Sequence, residues 1–190
     1  MPEIFVFGGC NGSGKSTLAH EILSSINPSP EFVNADIIAA QMNPDDVESV
    51  AISASRMMLT RLKNLAYQKV DFAFETTLAA RSFAPFLRQC QTQGYRVNLL
   101  YIWLNSTELA LSRVTKRVAA GGHNIPQDII RRRYQRGLNN FFNLYSPLAD
   151  YWIIFDNSQS SINVVAEKVV YSSLNIYLPL VWQQIQTQKL

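Results

Sequence analysis

The feature that most constrains this chain is Gly9-Cys10-Asn11-Gly12-Ser13-Gly14-Lys15-Ser16, a complete match to G-x-x-x-x-G-K-[S/T]. Its context agrees with it. Ile4-Phe5-Val6-Phe7 is an unbroken apolar run of the kind that forms a buried parallel strand. Lys15 to Ile26 then follows with helical periodicity. A strand, a glycine loop and a helix in that order turn successive backbone N–H groups toward one point at a helix N-terminus, which is an anion nest. Gly9, Asn11, Gly12, Ser13, Gly14, Lys15, Ser16 and Thr17 are therefore expected to hold a triphosphate. Lys15 is expected to reach the β- and γ-phosphates, and the Ser16 hydroxyl to sit on Mg²⁺. Cys10 reads as a small loop residue rather than a nucleophile.

The rest of the chain alternates β-rich runs with helical stretches. Further strands are expected at Phe32-Val33-Asn34, Phe72-Ala73-Phe74, Tyr95 to Leu104, and Tyr151 to Phe155. Helices are expected over Asp46 to Lys69, Phe83 to Gln93, Asn105 to Ala120 and Pro126 to Tyr145. The tail after Ile162 also reads as helical, with Pro179 as a break. This order predicts an α/β fold: a P-loop kinase-like three-layer sandwich with about five parallel strands, helices on both faces and a helical lid. No repeat or linker divides the 190 residues, so one domain over 1–190 is expected, with the lid at about 113–136.

Composition excludes several classes. The two cysteines make no disulfide framework and no metal-binding spacing, which favours a reducing cytoplasm. The start carries no secretory pattern, and no apolar run is long enough to span a membrane. The formal net charge of +3 is local. Residues 113–136 hold seven basic side chains against Asp128, a net +6, while the remainder is −3. A cluster of this kind suits a small polyanion better than nucleic acid.

A P-loop alone does not name a reaction. No LSGGQ-like stretch marks a transporter ATPase, and no N-K-x-D marks a GTPase. The small-kinase plan remains, in which a second substrate supplies the attacking oxygen. Ligands in an open α/β sheet sit beyond the carboxyl ends of the strands. Asp36 follows the second strand and is either a general base or a helix cap. Glu75 and Thr76 follow the third strand, where Glu75 binds the acceptor, assists Mg²⁺ or caps a helix. Arg113 and Arg117 precede Gly121-Gly122-His123-Asn124, and Arg131, Arg132, Arg133 and Arg136 follow it. Arginine helix, glycine hinge and arginine helix read as a lid, against the alternative of a solvated basic face. Of the second set, Arg133 lies nearest the apolar face, Arg132 next, and Arg131 and Arg136 toward solvent. His123 sits in the hinge as a hydrogen-bonding or exposed loop histidine. Asp156-Asn157-Ser158 is either an edge of the base pocket or a plain turn.

Taken together, GGCNGSGKST, FVNAD, FETT, RVAAGGHNIP and IIRRRY resemble the zeta-toxin family of P-loop kinases, over about Ile4 to Asn157. That resemblance implies a sheet like that of shikimate and adenylate kinases. It implies Mg²⁺-dependent transfer from ATP or GTP to a sugar hydroxyl of UDP-N-acetylglucosamine, and a separate antitoxin as partner. By it, Lys15, Asp36, Arg117 and Arg133 would be catalytic. Arg113 and Arg117 would join the nucleotide site, and Asp36, Glu75, Thr76, Arg81 and Arg132 would bind the acceptor. A kinase of another hydroxylated metabolite or antibiotic, and an ATP-binding switch with little transfer activity, are the alternatives.

Overall fold

The computed structural model describes residues 1–122 and 124–189. In chain order the elements are β1 (Glu3–Gly8), α1 (Lys15–Ser24), β2 (Glu31–Val33), α2 (Ala35–Met42), α3 (Ala51–Gln68), β3 (Phe72–Thr76) and α4 (Phe83–Thr92). They continue as β4 (Arg96–Trp103), α5 (Thr107–Ala119), α6 (Gln127–Asn140), a π-helical turn (Phe141–Tyr145), β5 (Tyr151–Asp156), β6 (Asn163–Val169), β7 (Asn175–Ile176) and α7 (Pro179–Gln188).

The sheet runs β2-β3-β1-β4-β5-β6-β7. Its first five strands are parallel, as expected. β1 lies between β3 and β4, so the chain leaves the glycine loop at the point where the winding direction reverses. Alternation along β1 separates the two faces. Ile4 and Val6 join a core with α3, α4 and α7. Phe7 joins a second core with Leu18, Ala19 and Leu23 of α1. Helices therefore cover both faces, giving three layers.

Two departures have local causes. The segment after Ile162 is not helical. Asn163–Val169 adds antiparallel to β5, and β7 adds antiparallel to it. Val165 and Ala166 are fully buried there, and covering the β5 edge outweighs the weak helical pattern of the sequence. Pro179 opens α7 rather than breaking a helix, at a position where its missing N–H costs nothing. The helix expected from Asp46 begins only at Ala51. The Asn43 side chain accepts from Asp46 N at 3.2 Å, and Asp46 Oδ1 accepts from Ser49 N at 3.2 Å, holding 43–49 in turns. Beyond that point Ala54, Met58, Leu62 and Leu65 are buried with the expected period. Among the described residues, no helix is long and apolar enough to cross a membrane.

Candidate active site

The glycine loop leaves β1 between Ile102 of β4 and the first turn of α1. A Cβ on Gly9 would lie 2.4 Å from the Ile102 carbonyl oxygen, and φ there is +145°, so a side chain is excluded. Gly14 caps α1 with φ +91°, and a Cβ there would strike Asn157 Nδ2 at 2.6 Å. Asn157 Nδ2 donates to Ser13 O at 2.8 Å and braces the loop from the end of β5. This contact is with loop backbone. A Cβ on Gly12 would lie 3.2 Å from Arg113 Cβ, so α5 packs Arg113 against the loop.

Two loop side chains bear on phosphate binding. Lys15 is buried, and its Nζ donates to Cys10 O at 2.9 Å, curled over the loop. Ser13 Oγ is a buried polar atom with no hydrogen-bond partner among the described residues. A buried ammonium resting on a single carbonyl, beside an orphaned hydroxyl and a ring of tight glycines, fits an oxyanion ligand. Cys10 is buried, which pushes its thiol up to about 11, with the Lys15 ammonium pulling the other way.

β1–β3 pairing sets Phe7 opposite Glu75 and Gly8 opposite Thr76, so the end of β3 lies beside the start of the loop. Ser16 Oγ donates to Glu75 Oε2 at 2.7 Å. The hydroxyl expected to hold a magnesium ion thus already faces a carboxylate. No cluster of three or more His, Cys, Asp or Glu able to hold a metal occurs among the described residues. β5 also ends as an apolar run closed by Asp156, the form of a hydrolase metal strand. The Asp156 carboxylate, however, accepts from Ser158 N at 2.8 Å and from the Ser158 hydroxyl.

Asp36 is not a cap. Asn34 caps α2, its side chain accepting from Asp36 N at 2.7 Å and Ile37 N at 3.4 Å. This leaves the Asp36 carboxylate free of the helix end and on the wall of a cavity of about 270 Å³. Lys15, Glu75 and Thr76 line the same cavity, with Arg133 arriving from α6. Arg133 Nη1 donates to Asn11 Oδ1 at 3.4 Å. Burial lowers the Arg133 pKa, while Asp36 and Glu48 act in the opposite direction. A guanidinium remains charged under such a shift, so α6 delivers a fixed positive charge to the P-loop.

The other arginines lie elsewhere. Arg131 pairs with Glu108 at 2.9 Å. Arg132 and Arg136 are exposed. Arg117 is exposed near the end of α5, where its carbonyl accepts from Gly122 N at 2.9 Å. Arg81 and Thr17 are exposed and, like Arg117 and Arg132, do not line the cavity. His123 lies outside the described residues.

Three features escaped the sequence reading. Glu48 and Ser55 reach the cavity from the α2–α3 connection and α3. Ile125 and Ile129 close it from the α5–α6 side. The far half of α6 is fixed to the segment after β3. A Cβ on Gly137 would lie 2.4 Å from Thr77 O, Asn140 Nδ2 donates to Leu78 O at 2.7 Å, and Tyr145 OH donates to Ala80 O at 2.6 Å. None of these contacts has a short-range sequence signal. Only the glycine at 137 inside a helical pattern hints at close packing.

Comparison with known proteins places these features in a family. Residues 1–167 match the model of the family described as Zeta toxin. An uncharacterized protein of Haemophilus influenzae is 34% identical over 126 residues, covering 66% of this chain and 88% of its own length. Among solved structures, an AvrRxo1-ORF1:ORF2 complex with ATP superposes with TM-score 0.79 at 15% identity, over 100% of this chain. The chain spans 65% of the length of that protein. A structure from the PezAT chromosomal toxin-antitoxin system of Streptococcus pneumoniae superposes with TM-score 0.64 at 15% identity, over 98% of this chain and 85% of its own.

Proposed function

The chain belongs to the zeta toxin family and is a P-loop kinase; we propose that it moves the γ-phosphoryl group of ATP or GTP onto a hydroxyl of a small acceptor held in the cavity beside the glycine loop. The observation that carries this reading is the shared wall: Lys15, Asp36, Glu75 and Arg133 face one space of about 270 Å³. An NTP-binding switch has no need of a carboxylate freed from capping on the acceptor side of its phosphate site. The ATP seen with AvrRxo1 supports ATP as donor.

In this reading the loop amides and Lys15 hold the phosphates, and Ser13 Oγ gains a partner when they do. Ser16 and Glu75 would hold Mg²⁺, which supplies charge neutralisation at the β- and γ-phosphates. Asp36 accepts the proton of the acceptor hydroxyl as that oxygen bonds to the γ-phosphorus. The bond to the β–γ bridging oxygen breaks, and the nucleoside diphosphate leaves with that electron pair. Arg133 neutralises charge on the transferring group, a role that an arginine fills at about 10³-fold in rate or more. Arg113 would steady the loop, and Arg117 and Arg132 would come to the phosphates only by closure of a lid over 113–136 that hinges at Gly121-Gly122. Thr76 serves the acceptor side.

Two acceptor classes follow. The family resemblance points to a nucleotide sugar such as UDP-N-acetylglucosamine. The alternative is another small hydroxylated metabolite or antibiotic. A separate antitoxin is the proposed protein partner, supported by the PezAT neighbour. Incubation with Mg-ATP and a panel of both acceptor classes, followed by mass spectrometry, tests the reading. A phosphorylated product that disappears in Lys15→Ala supports it. Slow release of inorganic phosphate alone, across the whole panel, rejects it.

A further inference from the structure

We infer that Gln188, in the last turn of α7, is a positioning residue for the phosphate site: it clamps α6 against the end of β4 and so holds the Arg133 guanidinium on the glycine loop. Gln188 lies beyond residues 1–167, the part of the chain that matches the family. Its role rests on the phosphotransfer reading above for one point, the place of Arg133 at the γ-phosphate.

The clamp is a set of hydrogen bonds made by one residue. Gln188 Oε1 accepts from Trp103 Nε1 at 3.1 Å. The same oxygen lies 3.0 Å from the Tyr134 hydroxyl, which it shares with Leu104 O at 2.7 Å. Gln188 Nε2 donates to Asn105 O at 2.9 Å, and Gln188 O accepts from Gln135 Nε2 at 2.9 Å. Trp103 closes β4, and Tyr134 and Gln135 belong to α6. A single side chain thus ties the end of a central strand to the lid helix. Trp103 and Tyr134 are both buried, where an indole N–H and a hydroxyl need protein partners.

The position of the clamp on α6 gives it a bearing on the site. Tyr134 directly follows Arg133, and its ring packs in one cluster with Cys10 of the glycine loop, Leu104 and Ile130. Asn140 and Tyr145 fix the far half of α6 and the turn after it to residues 78–80. Gln188 fixes the turn that carries Arg133. Arg133 Nη1 reaches Asn11 Oδ1 at 3.4 Å, the long end of a hydrogen bond, so a small displacement of the helix releases it. An error of about 1 Å in the placing of such a group can cost about a hundredfold in rate. The docking of α7 does not depend on the clamp. Ile185 is fully buried, and Trp182 stacks on Trp152 with ring centroids 6.1 Å apart. Loss of the Gln188 side chain therefore frees α6 without removing α7.

The test measures the affinity of ADP and of a non-hydrolysable ATP analogue, both with Mg²⁺, for the full chain. The ratio of the two affinities reports the grip on the γ-phosphate, and ADP alone reports the loop. The variants are Arg133→Ala, Gln188→Ala, Gln188→Met, which keeps a long side chain without its polar atoms, and Gln188→Ala combined with Arg133→Ala. The expected result is a preference for the ATP analogue that falls about tenfold in Arg133→Ala, the scale of one charge-assisted hydrogen bond. It should fall about threefold or more in both Gln188 variants, with ADP affinity held within about twofold. The double variant should stay within about twofold of Arg133→Ala, because Gln188 acts through Arg133. An unchanged preference in Arg133→Ala or in the Gln188 variants overturns the role of Gln188. Equal weakening of both nucleotides, or losses that multiply in the double variant, also overturns it, since either marks a merely structural contact. Failure of the phosphotransfer reading looks different: no acceptor yields a phosphorylated product, while the nucleotide preferences still decide the role of Gln188.

Discussion

Ser16 Oγ donates a 2.7 Å hydrogen bond to Glu75 Oε2, joining the first turn of α1 to the end of β3. The two residues are 59 positions apart and meet because β1 and β3 are parallel neighbours with Phe7 opposite Glu75. In the proposed reading Glu75 therefore serves the metal end of the cleft at least as much as the acceptor end.

Removing that carboxylate is expected to weaken magnesium dependence more than nucleotide binding. In Glu75→Ala the Mg²⁺ concentration for half-maximal activity should rise about 10- to 100-fold, the usual effect of losing a supporting partner. Titration of activity against Mg²⁺ at saturating ATP reads this directly. An unchanged midpoint would place Glu75 elsewhere in the chemistry.

The Asn157 brace predicts a loop effect from 144 residues away. Asn157→Ala leaves Ser13 O without its donor and is expected to cost about 1 kcal/mol of stability. Gly14→Ala combines a φ of +91° with a Cβ 2.6 Å from Asn157 Nδ2. It should cost about 1–3 kcal/mol and also raise the ATP dissociation constant. Urea unfolding and ATP titration of both variants check the pair.

Asn34 and Asp36 are two residues apart but should fail in different ways. Asn34→Ala removes a buried cap that accepts two backbone bonds, and about 0.5–2 kcal/mol of stability should go with it. Asp36 is exposed and its carboxylate caps nothing, so Asp36→Asn should leave the unfolding midpoint nearly unchanged while transfer falls. Parallel denaturation and product assays separate the two effects.

The lid should move at its glycine hinge, not at its foot. Gly121 has φ +86° with nothing within 4 Å of a Cβ, whereas Gly137 is pressed against Thr77 O. Amide exchange at Gly121 and Gly122 should be orders of magnitude faster than across Leu99 to Trp103, and should slow when nucleotide binds. Equal protection in the free protein would remove the hinge.

Much of this was legible from local pattern. The glycine loop, the five parallel strands and the inward turn of Arg133 follow from short-range periodicity and motif spacing. Arg133 was distinguishable from Arg131 and Arg132 because Ile130, Tyr134 and Leu138 mark the buried stripe of α6. The choice between capping and catalysis at Asp36 was not legible. It depends on which of two neighbouring side chains turns back onto the helix, and Asn34 takes that place. Strand β6 was misread because Ala166-Glu167-Lys168 suits a helix, and only the exposed edge of β5 makes it a strand. Glu48 could not be found at all, since its approach to the cavity depends on the turns at 43–49 and the packing of α2 against α3.

The central claim is a two-substrate cleft with Lys15 on the donor side and Asp36 on the acceptor side. The most direct measurement is ATP affinity and phosphoryl transfer, each taken on Asp36→Asn. ATP affinity should stay within about twofold of the native chain while transfer slows by about 10²–10⁴-fold, the range of a lost general base. Transfer at the native rate in Asp36→Asn would contradict it.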